Sequence, residues 1–218
     1  MRRDPHRLLG VAHRSGNSVA GLRAALETGV DLVEADVHLY RAGLEVRHHK
    51  TLGRAHLWDR WEVVRRADLE LADLSEVVAE LRGDPRLMID LKGVDRSLAG
   101  RVADVLRAHD PAAPFTVCTK QWWMLDAFTD PIRRVLSAGS RVGLARLRRR
   151  LQDQPAYGVS VRLSLLTPAV VRELVARTDV VMAWPVDTPA ALERARALRV
   201  DAVIGKDLDL LRAAVRPG

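Results

Sequence analysis

The sequence predicts a (β/α)8 barrel, and three observations carry that reading. Short apolar runs of strand length alternate with amphipathic segments of helical period, eight such pairs can be counted, and 218 residues suit one α/β barrel domain spanning 1–218. The strand candidates are 8–13, 32–37, 87–91, 115–119, 133–137, 157–163, 180–186 and 202–205. Between and after them fall helix candidates at 18–27, 74–81, 96–109, 121–128, 141–151, 168–177, 189–198 and 208–215. Thr167-Pro168 and Thr188-Pro189 mark two helix starts, each setting a capping hydroxyl before a proline at the first helical position. One connection departs from the pattern. Between Val37 and Leu74 there is an excursion over 38–72, with a small hairpin expected at 44–49, and long segments at barrel strand ends usually serve the active site.

The second strand, Leu32-Val33-Glu34-Ala35-Asp36-Val37, carries two acids two residues apart. Alternation puts Leu32, Glu34 and Asp36 on one face and Val33, Ala35 and Val37 on the other, so both carboxylates converge. Unpaired buried carboxylates cost several kcal/mol each, so the pair calls for a cation, either a metal or an Arg/Lys cluster. The apolar opposite face marks a covered strand, and the acids are read as metal ligands; two acids at a solvated strand end are the plainer alternative.

Barrel active sites assemble at the C-terminal ends of the strands, and the polar residues there form a set. Strand one ends in His13-Arg14, strand two gives Glu34 and Asp36, the excursion adds His48-His49, strand three ends with Asp90 and Lys92 on one face, and late strands give Trp184 and Lys206-Asp207. The carboxylates Glu34, Asp36 and Asp90 suit Mg²⁺ or Ca²⁺ better than zinc. His13 and His48 can serve as general acid and base near neutral pH, while Arg14 and Lys92 supply positive charge for phosphate oxygens. Together these residues fit phosphodiester cleavage. His6, His56 and His109 read as surface or structural histidines.

Charge and cysteine content bound the partners. Formal charge is +7, from 35 basic against 28 acidic residues, and only four of the basic ones, Lys50, Lys92, Lys120 and Lys206, are lysines. The densest cluster, Arg146 with Arg148, Arg149 and Arg150, follows a helical apolar pattern and reads as a solvated helix face, with polyanions or lipid headgroups as the alternative. Nucleic acid is not expected, because no aromatic platform or recognition motif accompanies the arginines. Cys118 stands alone, so no intrachain disulfide is expected and a reducing, cytoplasmic setting follows. No run reaches the length of a transmembrane helix, which leaves peripheral contact as the form a membrane association would take. Oligomeric state is left open.

In order along the chain stand Ala12-His13-Arg14, Asn17 opening a helix, Glu34-x-Asp36-Val37, Val46-Arg47-His48-His49-Lys50-Thr51-Leu52-Gly53-Arg54, Ile89-Asp90-Leu91-Lys92 and Ala183-Trp184-Pro185-Val186. As a set, from about residue 8 to 211, this resembles the glycerophosphodiester phosphodiesterases, whose motifs read roughly H-R-G, P-E-N-T, E-x-D-V, H-D-x-x-L-x-R, I-E-x-K, W-T-V and G-I-x-T-D. The resemblance implies a (β/α)8 barrel with one divalent cation that hydrolyses a glycerophosphodiester to glycerol 3-phosphate and an alcohol. It implies Glu34, Asp36 and Asp90 as metal ligands, His13 and His48 as the acid-base pair, Arg14 and Lys92 on the phosphate, and Trp184 against the glycerol moiety, a plain wall role being the alternative for Trp184. The chain departs from the pattern at Ser15, Gly16, His49, Asp90 and Gly205-Lys206-Asp207. Gly16 stands where the family has a glutamate and His49 where it has an aspartate, which keeps open a barrel that binds phosphate-containing ligands without turnover. The excursion is shorter than the family's inserted segment, which implies a more open pocket able to admit larger headgroups or lysophospholipid-like diesters.

Overall fold

The structure, a computed structural model, describes residues 7–59 and 61–215. Its eight parallel strands are β1 (Leu9–Ala12), β2 (Leu32–Tyr40), β8 (Leu87–Lys92), β9 (Thr116–Thr119), β10 (Arg133–Ala138), β11 (Ala156–Arg162), β12 (Thr178–Trp184) and β13 (Ala202–Gly205). Each pairs with the next in parallel and β13 pairs back to β1, closing the cylinder. The helices α1 (Val19–Glu27), α2 (Leu74–Glu80), α3 (Arg96–His109), α4 (Arg141–Asp153), α5 (Pro168–Val175), α6 (Pro189–Leu198) and α7 (Leu208–Val215) lie outside it.

Helix starts are chemically fixed. Ser18, Ser140, Thr167 and Thr188 accept from backbone N–H groups of the first turns, and Asp73 forms a capping box with Glu76. Each such cap contributes about 1 kcal/mol. Apolar stripes such as Leu98, Val102 and Leu106 of α3 then bury against the outward faces of the strands, where Val33, Ala35 and Val37 of β2 are fully buried. The inward faces make a separate packed layer from Val11, Met88, Cys118, Val135, Val180, Met182, Ala202 and Ile204. Cys118 is a free, buried thiol within it.

Two expectations are corrected. The segment expected as a helix at 121–128 is a 3-10 helix, Trp122–Ala127, because Trp122 donates from its indole nitrogen to the Ser137 carbonyl at 3.0 Å and Phe128 is drawn into the core, tying a short connection to the sheet. The hairpin expected at 44–49 is formed instead between an extended β2, running to Tyr40, and β3 (Gly43–Val46), with Arg41 of the intervening turn in the left-handed region. After it come a three-stranded antiparallel meander, β4 (Lys50–Leu52), β5 (His56–Asp59) and β6 (Glu62–Arg65), and the short β7 (Ala72–Asp73) beside β3. This excursion lies over the C-terminal end of the barrel. Among the described residues, no helix is long and apolar enough to cross a membrane.

Candidate active site

Strand parity delivers the polar residues to one place. Leu32, Glu34 and Asp36 share the inward face of β2, and the β2–β8 register sets Asp36 beside Asp90 with His38 beside Lys92. Glu34 and Asp36 are buried, and ligand atoms of Glu34, Asp36 and Asp90 lie within 4.8 Å of one another.

Asp36 is the hub. Its backbone N–H donates to Asn17 Oδ1 at 2.7 Å, and its Oδ2 accepts from Asn17 Nδ2 at 3.1 Å. His48 Nδ1 lies 3.0 Å from the same oxygen, and Lys92 Nζ is 2.6 Å from Oδ1. Burial alone would push this carboxyl up; the hydrogen bonds from His48, Lys92 and Asn17, with the charge on Lys92, outweigh it and hold the group ionised far below the usual carboxylate range. Lys92 also bonds Asp90, and these acids hold its ammonium protonated against the pull of burial.

The other two acids behave in the opposite way. Burial, then the charge on Asp36, pushes Glu34 well above its ordinary pKa, and burial raises Asp90 despite Lys92. The Lys92 ammonium and the Arg14 guanidinium, 3.8 Å from Asp36, therefore do not balance three clustered carboxylates, two of them buried and Asp90 half-buried. A hard dication among these oxygens would supply the missing charge, so the donor set fits a divalent metal.

The histidines and Arg14 sit around this cluster. His13 follows β1, its backbone N–H donating to Gly205 O at 2.7 Å, and its Nε2 is 3.9 Å from Glu34 Oε2. Burial, reinforced by the charge on Arg14, lowers its pKa to about 4, so the ring is neutral near pH 7. Arg14 adopts φ 63°, a left-handed conformation that turns its backbone N–H onto Glu34 Oε2 at 2.6 Å while its Nη2 lies 2.5 Å from His48 Nε2. That contact is a hydrogen bond in the tautomer that leaves Nε2 its lone pair and sets the Nδ1 proton toward Asp36.

His49 offers no carboxylate to its neighbour, yet His48 does not lack one. Asp36 faces Nδ1, and Asp59, arriving on β5, is 3.4 Å from Nε2. The segment is pinned by Arg47, buried and bonded to Glu45 at 2.8 Å, to Thr51 at 2.8 Å and to the His49 carbonyl. Sequence reading missed Asp59, Arg47 and the inward-facing His38, a half-buried ring whose pKa is lowered to about 3 by desolvation. The i, i+2, i+4 spacing of Glu34, Asp36 and His38 was the available signal for His38; Asp59 had none, since only the meander's tertiary position brings it in.

Gly16, where the sequence resemblance leads one to expect a glutamate, stands in a place without room for a side chain. A Cβ at that position would lie 2.9 Å from Ala35 Cβ and 3.0 Å from Glu34 O, so β2 leaves no room for a side chain. Trp184 stands at the rim, with Lys120 Nζ 5.3 Å from its ring centroid and Gly139 packed so closely that a Cβ there would meet the ring at 3.0 Å. Of the remaining candidates, Asp207 accepts from the Leu210 N–H at the start of α7, His109 packs on Phe115 and His56 is exposed; His6 lies outside the described residues. On α4, Arg148 pairs with Glu173 and Arg146 lies over the Trp122 ring.

Neither family models nor curated proteins match the chain. Solved structures do. A presumptive glycerophosphoryl diester phosphodiesterase from Silicibacter pomeroyi superposes with a TM-score of 0.81 at 15% identity, covering 98% of this chain and 95% of that one. The glycerophosphodiester phosphodiesterase from Thermotoga maritima gives 0.75 at 20% identity, over 94% and 97% of the two chains. A phosphodiesterase from Oleispira antarctica, solved with its product sn-glycerol-3-phosphate, gives 0.75 at 17%, over 96% and 97%. At such identities the likeness speaks for architecture: this chain has the (β/α)8 fold of the glycerophosphodiester phosphodiesterases.

Proposed function

We propose that the chain is a metal-dependent phosphodiesterase that hydrolyses glycerophosphodiesters to glycerol 3-phosphate and an alcohol. The observation that carries this reading is the convergence, on one inward face of the barrel mouth, of three carboxylates with His13, His48, Arg14 and Lys92. A dication held by Glu34, Asp36 and Asp90 would neutralise phosphate oxygens and acidify an attacking oxygen, worth several kcal/mol at the transition state.

The protein's own groups divide the remaining work. Arg14 and Lys92 bind the non-bridging phosphate oxygens, Arg14 as a fork and Lys92 as a point charge. His13, kept neutral by burial and by Arg14, takes the proton from the attacking oxygen, whether water or the substrate's neighbouring hydroxyl. As Arg14 moves onto the phosphate it releases His48 Nε2, which can then carry a proton beside Asp59 while Nδ1–H stays on Asp36. His48 delivers that proton to the leaving alkoxide. Trp184, stiffened by Lys120 and Gly139, walls the glycerol side. From below, the buried Met88 and Cys118 set an apolar floor beneath the acids that works against water entry.

A second reading has its own support: Lys92 already lies between Asp36 and Asp90, and an internal ammonium is the alternative counter-ion for such a cluster. On that reading the barrel binds phosphate esters without turnover. Assay of glycerophosphocholine with Mg²⁺, Ca²⁺ or Mn²⁺ and with chelator separates the two. Metal-dependent release of glycerol 3-phosphate, lost in His13→Ala, supports the hydrolase; tight binding of glycerol 3-phosphate without turnover under any metal overturns it.

A further inference from the structure

Among the described residues, the large apolar side chains that remain exposed are Leu52, Trp61, Val63, Val94, Trp123 and Val142. Their placement is not scattered. Leu52, Trp61 and Val63 belong to the meander that follows β2, Val94 to the β8–α3 connection, Trp123 to the segment after β9, and Val142 to the first turn of α4 after β10. All six stand at the C-terminal end of the barrel, where the candidate active site opens. The strands β2, β8, β9 and β10 are consecutive neighbours, so their connections form one continuous arc covering half of the rim. Among the described residues, neither the other half, after β11, β12, β13 and β1, nor the connections at the opposite end carry such a residue.

Trp61 is fully exposed and Trp123 is 44% exposed, costs a protein does not ordinarily leave standing at one end only. Cations accompany the tips. Lys50 and Arg54 flank Leu52, Arg96 follows Val94, Lys120 precedes Trp123 and Arg141 adjoins Val142, all exposed. The unpaired acids of these segments are fewer: Asp68 is paired with Arg65, Asp59 lies beside His48 and Asp95 caps α3, which leaves Glu62, Glu70, Asp126 and Asp130 against those five cations.

We propose that this arc docks on an anionic lipid surface, with the two tryptophans and the aliphatic tips entering the headgroup region and the basic side chains meeting lipid phosphates. Tryptophan with nearby Lys or Arg is the combination suited to that boundary. Separate tips on four connections, each beside a cation, suit a lipid surface better than a protein partner, whose contact would call for a contiguous apolar core. The arc is distinct from the arginine face of α4, of which Arg148 is engaged by Glu173 and Arg146 by the Trp122 ring. Docking would turn the mouth toward lipid, which deepens the proposed function by naming lipid-embedded glycerophosphodiesters as its substrates.

The test is co-sedimentation of the full chain with phosphatidylcholine vesicles with and without phosphatidylglycerol, read independently of turnover. The expected result is binding to the anionic vesicles, weakened about tenfold or more in a Trp61→Ser, Trp123→Ser double variant, an amount equal to about 1.4 kcal/mol, and unchanged in an Arg149→Gln, Arg150→Gln control. Both tryptophans lie outside the proposed catalytic set, so turnover of glycerophosphocholine by the double variant stays at the native level; a native chain that binds the anionic vesicles yet turns over no glycerophosphocholine with any metal would indict the hydrolase reading alone. The docking proposal is overturned if the native chain stays in the supernatant with both compositions, if the double variant binds like the native chain, or if the α4 control loses binding equally. Light scattering that shows a dimer dissociated by the double substitution overturns it too, since a second copy would then cover the arc.

Discussion

The inside of this barrel has two storeys built by the same strands. Below, Val11, Met88, Cys118, Val135, Met182 and Ile204 pack as a buried apolar layer; above, two residues further along the same inward faces, come His13, Asp90, Lys120, Trp184 and Lys206. On β2 the change happens between Leu32 and Glu34. The lower storey needs only volume and apolar surface, and it excludes water from beneath. The upper one holds charges that are stabilised chiefly by one another, so its members cannot be changed singly without disturbing the rest. What the difference teaches is that stability and chemistry are separable in this fold by height along a strand.

The strongest way to break that comparison is Asp36→Asn. The amide keeps the shape but cannot accept from His48, Asn17 and Lys92 together, so turnover should fall by about 10³-fold, about 4 kcal/mol, with a much smaller change in the urea midpoint. A stability loss that matched the activity loss would erase the division. Met182→Ala tests the lower storey: a cavity in a fully packed layer costs about 2–5 kcal/mol, read by denaturant unfolding, while kcat/KM of the folded protein stays at the native level. Between these lies Gly16→Ala. Its Cβ would press on Ala35 and Glu34, so a stability cost of about 1–3 kcal/mol should come with lost activity, because the strand it displaces carries two of the three metal-ligand candidates, Glu34 and Asp36.

How far each storey was legible in the sequence follows from the range of the interactions that make it. Alternation is local, so Glu34, Asp36, Asp90 and Lys92 could be placed on one face from spacing alone, and Thr-Pro pairs located two helix starts. The sequence could not show that Asp59 would come to His48, because that depends on where a meander of three short strands folds back. Nor could it show that Arg47, a charged residue next to two histidines, would be buried as a brace. The expected helix at 121–128 failed because a single indole hydrogen bond to β10 overrode helical periodicity. The departure at Gly16 was visible as a letter, yet its meaning, a strand packed too closely to admit a side chain, is a property of the assembled barrel.

The smallest effect belongs to the end farthest from the mouth. Asp84 and Arg86 form a bidentate pair in the turn entering β8, with Arg86 Nη1 reaching the Val30 carbonyl at 3.1 Å. The hydrogen bonds from Arg86 lower the Asp84 pKa. A depressed carboxyl stabilises the fold above its unfolded value near 3.8 and loses that contribution as pH falls through the folded value, because the unfolded chain then binds the proton first. The pair is partly exposed, so solvent screening holds its worth to about 0.5–1 kcal/mol. Asp84→Asn should therefore lower stability by that amount at neutral pH, and the gap between variant and native chains should close below pH 4, with kcat/KM unaltered. If instead this substitution changed turnover, the two ends of the barrel would be coupled through β8, and height along the strand would no longer separate stability from chemistry.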